Sequence, residues 1–423
     1  MANLHAQLLQ LLHAFRRYGV TDSGGLTRLA ASSEERQARD FLSEWLLEHG
    51  FTRLVDPAGN LFGLLDLGEQ WPERYFFCGS HLDSQPEGGH YDGVLGVVCA
   101  CIGALSLKSK IVSNELQPGF RYYVVACWAG EEGTRFQPSL LGSSVFCGKL
   151  ALADAYRVTD VDGVHYEDAL KLTGYLGADE IPRPDRYLEI HIEQASTLQR
   201  EGIDIGLVGA CWGASKLRVI VTGRADHTGP TPMEERRNAL LAAAHLIIEV
   251  EAISARMQAS LYSSVGRLEV SPNSPNTVAE RVELWIEFRS VDREALGKAH
   301  ARLNDVMADI EQRTGCVLNL TSAESREPIE FDPDSLQLAK NALAYASIPY
   351  RELDTVAGHD AISLQTICPT SLLFVPSKDG VSHSPLEFTS DEQICAGFDA
   401  MTAVLTSQIA GVDCGQIPRS MPI

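Results

Sequence analysis

The sequence is poor in positive charge. Lysine and arginine together number 35, against 56 aspartates and glutamates, and the formal net charge is −21. Such a chain gains no electrostatic attraction to phosphate backbones or to anionic lipid surfaces. We therefore expect neither a nucleic acid nor a membrane as a partner. The negative charge favours solubility and is compatible with the binding of divalent cations.

Several signatures of other protein classes are missing. No CxxC pair, no GxxxxGK[ST] phosphate-binding loop and no internal repeat occur. The longest apolar run, 94–105, contains two glycines and is too short to cross a bilayer. The ten cysteines lie partly in apolar runs such as 97–101, which is typical of buried free thiols in a reducing compartment. We expect a cytoplasmic protein.

The composition is that of an ordinary globular protein, with 45% apolar and 22% charged residues over 423 positions. That length exceeds what one compact domain usually holds, so we expect two domains. In the first half, apolar stretches at 74–78, 121–128 and 187–192 predict buried strands, and helical patterns lie between them. Strands that alternate with helices predict an α/β layer structure.

The pattern changes near residue 213. A half-exposed strand at 215–222 is followed by a helix at 233–257, strands at 263–270 and 281–289, a helix at 293–313 and a strand at 316–322. This order predicts a ferredoxin-like α+β unit. Alternating helices and strands resume after Pro328, with a buried strand at 371–375. We therefore predict one α/β domain, 1–212 plus 329–423, interrupted by an inserted α+β domain, 213–328.

Four polar segments follow or end buried strands, where packing does not require them. They are GSHLDSQPEGGHYDG (79–93), AGEEG (129–133), EIHIEQ (189–194) and KDGVSHS (378–384). In an open α/β sheet, sites form beyond the carboxyl ends of the strands, so all four would converge there. Each segment alone has a structural explanation: a loop histidine at His81, a solvated turn at Glu131 and Glu132, a core histidine at His191 and a helix cap at His383. One common site explains the four together better than four separate coincidences.

The residue types in these segments suit a metal centre. Three histidines with two or more carboxylates match a borderline divalent ion such as Zn²⁺, Mn²⁺, Co²⁺ or Ni²⁺. Asp83 is placed to orient the His81 ring, and the adjacent Glu131 and Glu132 repel each other unless cations or protons intervene. A carboxylate shared by two ions makes a dinuclear site, which can generate hydroxide near neutral pH. One glutamate outside the ligand set then serves as general base.

The order of these segments resembles the metal-dependent amidase and carbamoylase branch of the M20 metallopeptidase superfamily. The similarity runs from Ser33 to Leu405 and also includes WAGEEGTRF (128–136), ADHTGPTPM (225–233), AGHDA (357–361) and KDGVSHSPLE (378–387). The branch comprises N-carbamoyl-L-amino-acid hydrolases, metal-type β-ureidopropionases, and allantoate and ureidoglycolate amidohydrolases. The resemblance implies a phosphorylase/hydrolase-like α/β catalytic domain with an inserted ferredoxin-like lid and dimerisation domain, and hence a homodimer.

The resemblance also implies two divalent ions in each subunit. The first ion would be held by His81, Asp92 and His191. The second would be held by Asp92, Glu132 and His383, so that Asp92 bridges the two. Glu131 would be the general base. His191 is informative, because the peptidase and deacylase branches of the superfamily usually have a carboxylate at that position.

Further residues are implied on the substrate side. His227 in the lid would stabilise the oxyanion, reaching into the partner subunit's site, while Asn276 and Arg289 would bind the substrate carboxylate. Gln194 and the backbone around Gly358 and His359 would contact the carbamoyl or amino acid part. Without the family, His227 could cap the turn before Pro230, and Arg289 could equally form a surface ion pair.

The sequence departs from the usual pattern of this branch at several positions. Ala195 follows HIEQ where glycine is usual, Ala279 stands where proline is common, and Glu287 stands where aspartate is usual. None of these changes removes a proposed metal ligand or the proposed base. They leave the catalytic class intact and leave the substrate open.

The implied activity is hydrolysis of N-carbamoyl-L-amino acids to the amino acid, CO₂ and ammonia, through a metal-bridging hydroxide and Glu131 as base. The alternative is an allantoate or ureidoglycolate amidohydrolase with the same centre and a different pocket. An M20 deacylase or peptidase acting on N-acyl amino acids is a third interpretation, which His191 argues against. A catalytically silent binding protein and a cysteine-nucleophile amidase are two more, although no cysteine stands in a recognisable nucleophile setting.

Overall fold

A computed structural model describes residues 2–257 and 261–410 of the chain. The chain divides into two compact units. The first contains the described residues of Met1–Gly209, Phe331–Leu353 and Ala357–Ile423, and the second contains those of Ala210–Glu330 with Asp354–Val356. The predicted insertion, 213–328, falls inside the long stretch of the second unit.

The elements follow one another in this order. The helices are α1 (Ala2–Phe15), α2 (Ser33–Glu48), α3 (Val94–Val112), α4 (Leu141–Phe146), α5 (Leu152–Arg157), α6 (Tyr166–Thr173), α7 (Thr197–Glu201), α8 (Ala239–Arg256), α9 (Arg293–Thr314), α10 (Pro333–Tyr345), α11 (Asp360–Leu364) and α12 (Asp391–Ala410). The strands are β1 (Thr52–Val55), β2 (Leu61–Asp66), β3 (Tyr75–His81), β4 (Tyr122–Trp128), β5 (Arg186–Ile192), β6 (Gly206–Cys211), β7 (Gly213–Thr222), β8 (Asp226–His227), β9 (Tyr262–Ser271), β10 (Thr277–Val278), β11 (Arg281–Ser290), β12 (Val317–Arg326), β13 (Ile329–Glu330), β14 (Arg351–Thr355) and β15 (Thr370–Val375).

The first unit is built on a mixed sheet with the strand order β1-β2-β4-β3-β5-β15-β6. Its four central strands, β4, β3, β5 and β15, run parallel to one another. β1 and β2 pair antiparallel at one side, and β6 pairs antiparallel with β15 at the other. The central strands are buried on both faces, which explains why their sequences are continuous apolar runs rather than alternating ones. The carboxyl ends of all four lie at the same edge of the sheet.

Helix α3 packs against β3, β4 and β5 in the core of the first unit. By length and hydropathy alone it is long and apolar enough to cross a membrane. Within the protein, however, 72% of its most apolar window is buried. This burial is what a core helix shows, because such a helix is apolar all round.

The second unit has an antiparallel four-stranded sheet in the order β12-β7-β11-β9, against which α8 and α9 pack. Along β11, buried residues alternate with partly exposed ones, as expected for a sheet covered on one face. The predicted α/β class with an inserted ferredoxin-like unit is confirmed. Outside this sheet, β8 and β10 form a short antiparallel ribbon.

One predicted element of the second unit was too long. The helix predicted at 233–257 begins at Ala239, and Met233–Glu235 forms a separate 3₁₀ turn. Asn238 ends the irregular segment, because its side chain accepts hydrogen bonds from the backbone N–H groups of Leu240 and Leu241 and so caps α8. An asparagine before an apolar helical stretch was the signal for this start.

The nine described cysteines all carry free thiols, as the sequence predicts. Seven of them are buried, and Cys147 and Cys395 are partly exposed. Burial raises the pKa of the Cys78, Cys127, Cys147 and Cys368 thiols to about 12. These thiols are therefore protonated at neutral pH and are poor nucleophiles. Cys414 lies outside the described residues.

Candidate metal centre

The four central strands of the first unit bring the four polar segments together. His81 is the last residue of β3, and His191 lies next to the end of β5. Glu131 and Glu132 follow β4, and His383 follows β15. Because these strands are parallel neighbours, the segments meet at one edge of the sheet.

A first group of candidate ligands is fully buried. The Nε2 atom of His191 lies 3.0 Å from Oδ1 of Asp92, and Nε2 of His81 lies 3.6 Å from the same oxygen. The three side chains are between 1% and 6% exposed. One ligand atom from each lies within 4.8 Å of the other two, which is the spacing of ligands around a single ion.

The hydrogen bonds of the two rings assign their tautomers. Nδ1 of His81 lies 3.0 Å from the carbonyl oxygen of Asp83, and Nδ1 of His191 lies 3.1 Å from that of Ile192. A carbonyl oxygen only accepts, so in each neutral ring Nδ1 carries the hydrogen and Nε2 has the lone pair. The backbone N–H of Gly93 donates to Nε2 of His191 at 3.2 Å, which requires the same assignment.

This arrangement fits a cation. In the neutral rings, two nitrogen lone pairs face a carboxylate oxygen in a buried site, which is unfavourable unless a proton or a metal ion lies between them. Burial by itself would lower the pKa of His81 and His191, but the nearby carboxylates raise it, and the same carboxylates would favour a bound cation. Histidines that ligate metals are held by a hydrogen bond from the other ring nitrogen, as both are here. The donor set of two imidazoles and one carboxylate suits a borderline divalent ion.

A second group shares Asp92 with the first. Nε2 of His383 lies 3.3 Å from Oδ2 of Asp92 and 3.6 Å from Oε2 of Glu132. Asp92 thus directs Oδ1 to one group and Oδ2 to the other. His383 differs from the other histidines, since its side chain is 48% exposed and its φ of 53° lies in the left-handed region. The second group is therefore the more open of the two.

The amide of Gln194 lies against the second group. Its Nε2 donates to Oδ2 of Asp92 at 2.8 Å, and it lies 3.2 Å from Oγ of Ser382 and 3.4 Å from Nε2 of His383. Gln194 also has a left-handed φ of 58°. A residue predicted to contact the substrate is thus directed at the candidate ligands.

The charges of the candidate ligands are mutually dependent. Burial by itself would raise the pKa of Asp92, but the imidazoles of His191, His383 and His81 hold it well below its usual range. Burial, with the nearby charge of Asp92, raises the pKa of Glu132 to about 7. The hydrogen bond to Asp92 is the main cause that raises the pKa of His383 to about 9. Protons on these groups balance the carboxylates, and a bound cation would displace them.

Glu131 belongs to neither group but lies beside the first. Its Oε2 lies 3.7 Å from Nε2 of His81, and the residue is 7% exposed. Burial raises the pKa of Glu131 well above its usual range; the charge of His81 opposes this, and the carboxylates of Asp360 and Glu132 add to it. A buried carboxyl group next to a ligand set and outside it is suited to proton transfer.

Asp83 connects the segment that follows β3 to the segment that follows β4. Its Oδ1 accepts the backbone N–H of Glu131 at 3.2 Å, and its Oδ2 accepts that of Glu132 at 3.2 Å. Oδ1 also lies 3.5 Å from Nδ1 of His81. Asp83 therefore orients both the His81 ring and the loop with the two glutamates.

Two buried carboxylates near the site were not singled out from the sequence. Glu189 accepts hydrogen bonds from Ser80 Oγ at 2.9 Å, Tyr187 OH at 3.1 Å and the backbone N–H of Ala361 at 2.8 Å. The sequence contained a signal for Glu189, because strand alternation places residues 189 and 191 on the same face of β5. Glu387, the second, accepts the backbone N–H of Asp92 at 3.1 Å.

Gly358 and His359 precede α11 in the first unit. The His359 side chain is buried, with its ring centroid 4.5 Å from that of His191 and 5.2 Å from that of Phe374. The contact of the backbone around Gly358 and His359 with substrate stays a prediction.

The remaining predicted residues lie in the second unit. His227 and Asn276 are close together on the ribbon of β8 and β10, where the N–H of Thr228 donates to the carbonyl of Asn276. Nδ1 of His227 accepts the N–H of Gly229 at 3.0 Å. Arg289 donates to the carbonyl of Val356 at 2.7 Å and pairs with Glu287 at 3.0 Å. The substrate roles of these three residues stay predictions.

Comparisons with known proteins identify relatives along most of the chain. The profile of peptidase family M20/M25/M40 matches residues 77–407. A hydrolase of Mycolicibacterium smegmatis is 39% identical over 399 residues, which are 93% of this chain and 90% of that protein. An N-carbamoyl-L-amino-acid amidohydrolase of Rhizobium meliloti is 33% identical, covering 93% and 94%, and an allantoate amidohydrolase of Bacillus subtilis is 30% identical, covering 92% and 94%.

A solved structure has the same fold over nearly the whole chain. It is an amidase of the hydantoinase/carbamoylase family from Burkholderia vietnamiensis, 32% identical, with a TM-score of 0.87 and coverage of 98% of each chain. The relatives include proteins named for two different substrates, N-carbamoyl-L-amino acids and allantoate.

Proposed function

The chain belongs to the M20/M25/M40 peptidase family and is an amidohydrolase, and from this premise we propose that it hydrolyses N-carbamoyl-L-amino acids to amino acid, CO₂ and ammonia. The observation that carries the hydrolytic mechanism is the shared use of Asp92, whose two oxygens face two separate groups of candidate ligands. The choice of N-carbamoyl-L-amino acids is supported by the 33% identity to the amidohydrolase of Rhizobium meliloti. The position of Glu131 beside the ligands and outside them supports its role as base.

We propose that the centre takes two divalent ions of the Zn²⁺, Mn²⁺, Co²⁺ or Ni²⁺ class. His81, Asp92 and His191 would hold one, and Asp92, Glu132 and His383 the other. When bound, such ions supply Lewis acidity, which acidifies water and polarises a carbonyl oxygen. The family is metal-dependent, and the ring tautomers described above support the ligand assignment.

Glu131 transfers the proton between water and the leaving nitrogen. Glu131 takes a proton from the attacking water and passes it to the nitrogen of the amino acid as the carbamoyl C–N bond breaks. The water oxygen forms the new bond to the carbamoyl carbon. The carbamic acid released in this way decomposes to CO₂ and ammonia. Burial raises the pKa of Glu131, and a higher pKa makes its carboxylate a stronger proton acceptor for this step.

Other residues would bind and orient the substrate. Gln194 is directed at the candidate ligands and would bind the carbamoyl group once its amide leaves Asp92. Arg289 and Asn276 would bind the substrate carboxylate, and His227 would stabilise the oxyanion. Arg289→Ala should weaken the binding of substrates with a free carboxylate more than that of amide-blocked ones. An equal loss for both would make Arg289 structural.

A second candidate function is the hydrolysis of allantoate. The 30% identity to an allantoate amidohydrolase over 92% of the chain favours it, and the same centre would serve that reaction. Ureidoglycolate is a further substrate of the same class. The deacylase interpretation is weaker, because the resemblance associates His191 with the carbamoylase branch.

The test is ammonia release by Mn²⁺-reconstituted protein with N-carbamoyl-L-amino acids, allantoate and ureidoglycolate in parallel. Release from the carbamoyl series supports the proposal, and release from allantoate or ureidoglycolate alone would replace it by the second candidate. Silence on all three with metal bound would contradict both, and N-acetyl amino acids would then test the deacylase interpretation. Glu131→Gln protein is the matched blank for contaminating activity.

We also propose a cytoplasmic homodimer joined through the second unit, as the resemblance implies. Light scattering after gel filtration would give the mass of the particle in solution. The value for a single 46.1 kDa chain would contradict the dimer.

A further inference from the structure

Glu387 connects two of the three loops that carry the candidate ligands of the second group, namely the loops of Asp92 and His383. It lies four residues after His383 and is 4% exposed. Its Oε1 accepts the backbone N–H groups of Tyr91 at 3.0 Å and Asp92 at 3.1 Å. Its Oε2 accepts the hydroxyl of Ser382 at 3.2 Å. One buried carboxylate therefore contacts the residue before one ligand and the main chain of another.

The loop of His383 needs such a connection. His383 lies in no regular element, has a left-handed φ and is half exposed. The two histidines of the first group differ, because His81 and His191 are parts of buried central strands. A loop ligand that is not held in place loses conformational entropy when an ion binds, and this loss weakens the binding. A fixed partner removes part of that cost before the ion arrives.

Gly89 shows that the main chain is shaped around this carboxylate. A Cβ atom at residue 89 would lie 2.1 Å from both Cδ and Oε1 of Glu387. No such contact is tolerated, so any side chain at position 89 would push the carboxylate away. The second glycine of the Gly88-Gly89 pair is thus explained by close approach and not by a turn.

We propose that Glu387 is a positioning residue that assembles the second ion site by holding the His383 loop against Asp92. The proposal rests on the proposed function, because it requires two ions in each chain. Both carboxylate oxygens of Glu387 are occupied by hydrogen bonds, and neither group of candidate ligands includes it. Its contribution is therefore geometric and depends on its acceptor atoms.

The experiment measures metal binding and not turnover. Chelator-stripped wild-type protein and the variants Glu387→Ala, Glu387→Gln and Gly89→Ala are titrated with Mn²⁺ by calorimetry, and the bound metal is counted after gel filtration. Glu392→Ala, which removes an exposed carboxylate on α12, is the matched control. Circular dichroism melting checks that each variant is folded. Gly89→Ala displaces the carboxylate without removing it, so it tests the same contact independently of the Glu387 substitutions.

We expect wild type and Glu392→Ala to bind two ions. Glu387→Ala and Gly89→Ala should bind the second ion about 10- to 100-fold more weakly and the first little changed. Glu387→Gln should keep most of the second site, because its amide oxygen still accepts the two N–H groups. If Glu387→Ala binds two ions with unchanged affinity, the positioning role of Glu387 is wrong and the two-ion function stands. Equal damage from Glu387→Gln would also overturn that positioning role, since the role would then depend on charge. A single ion in wild type would overturn the two-ion function as well.

Discussion

The side chain of Asp83 holds the main chain of Glu131, because Oδ1 of the aspartate accepts the backbone N–H of the glutamate at 3.2 Å. The same oxygen lies 3.5 Å from the His81 ring. One side chain thus sets the distance between a candidate ligand and the proposed base. This arrangement matters because proton transfer and ligand geometry both tolerate only small displacements.

Asp83→Asn should therefore reduce both turnover and metal affinity. Its amide has one acceptor oxygen, so only one of the two N–H groups of Glu131 and Glu132 keeps its partner. We expect a loss of about 10- to 100-fold in kcat and in metal affinity. Steady-state ammonia release and metal titration would measure the two. Asp22→Asn, an exposed aspartate, is the control, and full activity of Asp83→Asn would refute the role.

Glu131→Gln should separate metal binding from chemistry. The amide is nearly isosteric but cannot carry the proton, and Glu131 is outside both groups of candidate ligands. Metal content should stay at the wild-type value while kcat falls by about 10²- to 10⁴-fold. Glu132→Gln should show lower metal content as well. An active Glu131→Gln protein would remove this residue as the base.

His191→Ala should lower the metal content of the protein. Among the three candidate histidine ligands, His191 has the Nε2 atom closest to Asp92, and alanine leaves the first group with two members. Metal counted by mass spectrometry of the purified variant is the measurement. His165→Ala, which removes an exposed histidine, is the control. Unchanged metal stoichiometry in His191→Ala would disprove the assignment.

Asp56, which belongs to neither group of candidate ligands, should make the free energy of unfolding depend on pH. Burial raises the pKa of Asp56 to about 6, although hydrogen bonds from Asn60 oppose the shift. The folded state then binds the proton more tightly than the unfolded state, so the stabilisation is full below about pH 4 and is lost as pH rises through about 6. The full change is about 3 kcal/mol, of which about 1 kcal/mol falls between pH 5 and 7.

The test compares urea unfolding of wild type and Asp56→Asn at pH 5 and pH 7. Asparagine does not titrate, so wild type should lose stability relative to the variant as pH rises. The lost hydrogen bonds to Asn60 add an offset that is the same at both values. A difference that does not vary with pH would contradict the raised pKa.

Alkylation of the native protein should leave its activity intact. The described thiols are buried or partly exposed. Burial raises the pKa of the partly exposed Cys147 to about 12 and also raises that of the partly exposed Cys395. Iodoacetamide at pH 7 should therefore react slowly. The experiment uses Cys414→Ser protein, so that only the described thiols can react. Rapid inactivation of that variant would revive the cysteine-nucleophile interpretation.

Much of the candidate site was predictable because it follows strand ends. A polar segment after a continuous apolar run is a local pattern, and the parallel order of β4, β3, β5 and β15 brings these segments to one edge. Strand β1, which pairs antiparallel with β2, was not predicted. Thr52–Val55 has mostly exposed or half-exposed side chains, so it lacks the apolar run that marked the central strands.

The contacts that hold the site together were not predictable in the same way. Glu387 and Asp92 are 295 positions apart, and their hydrogen bond depends on how two loops fold. The close approach of Gly89 is likewise visible only in three dimensions. The helix start at Ala239 was predictable in principle, since Asn238 is a typical cap, but the apolar pattern was extended past it.

The sheet order of the first unit also bears on how the chain is made. β5 ends at Ile192, and its parallel neighbour β15 begins only at Thr370, after all of the second unit. On the ribosome, the contiguous strands β7 to β12 emerge complete while β5 still lacks that neighbour, so the second unit can fold first. Until β15 arrives, β5 has an open apolar edge of the kind that pairs with other chains. A nascent chain that stalls before Thr370 should therefore be a substrate for chaperones.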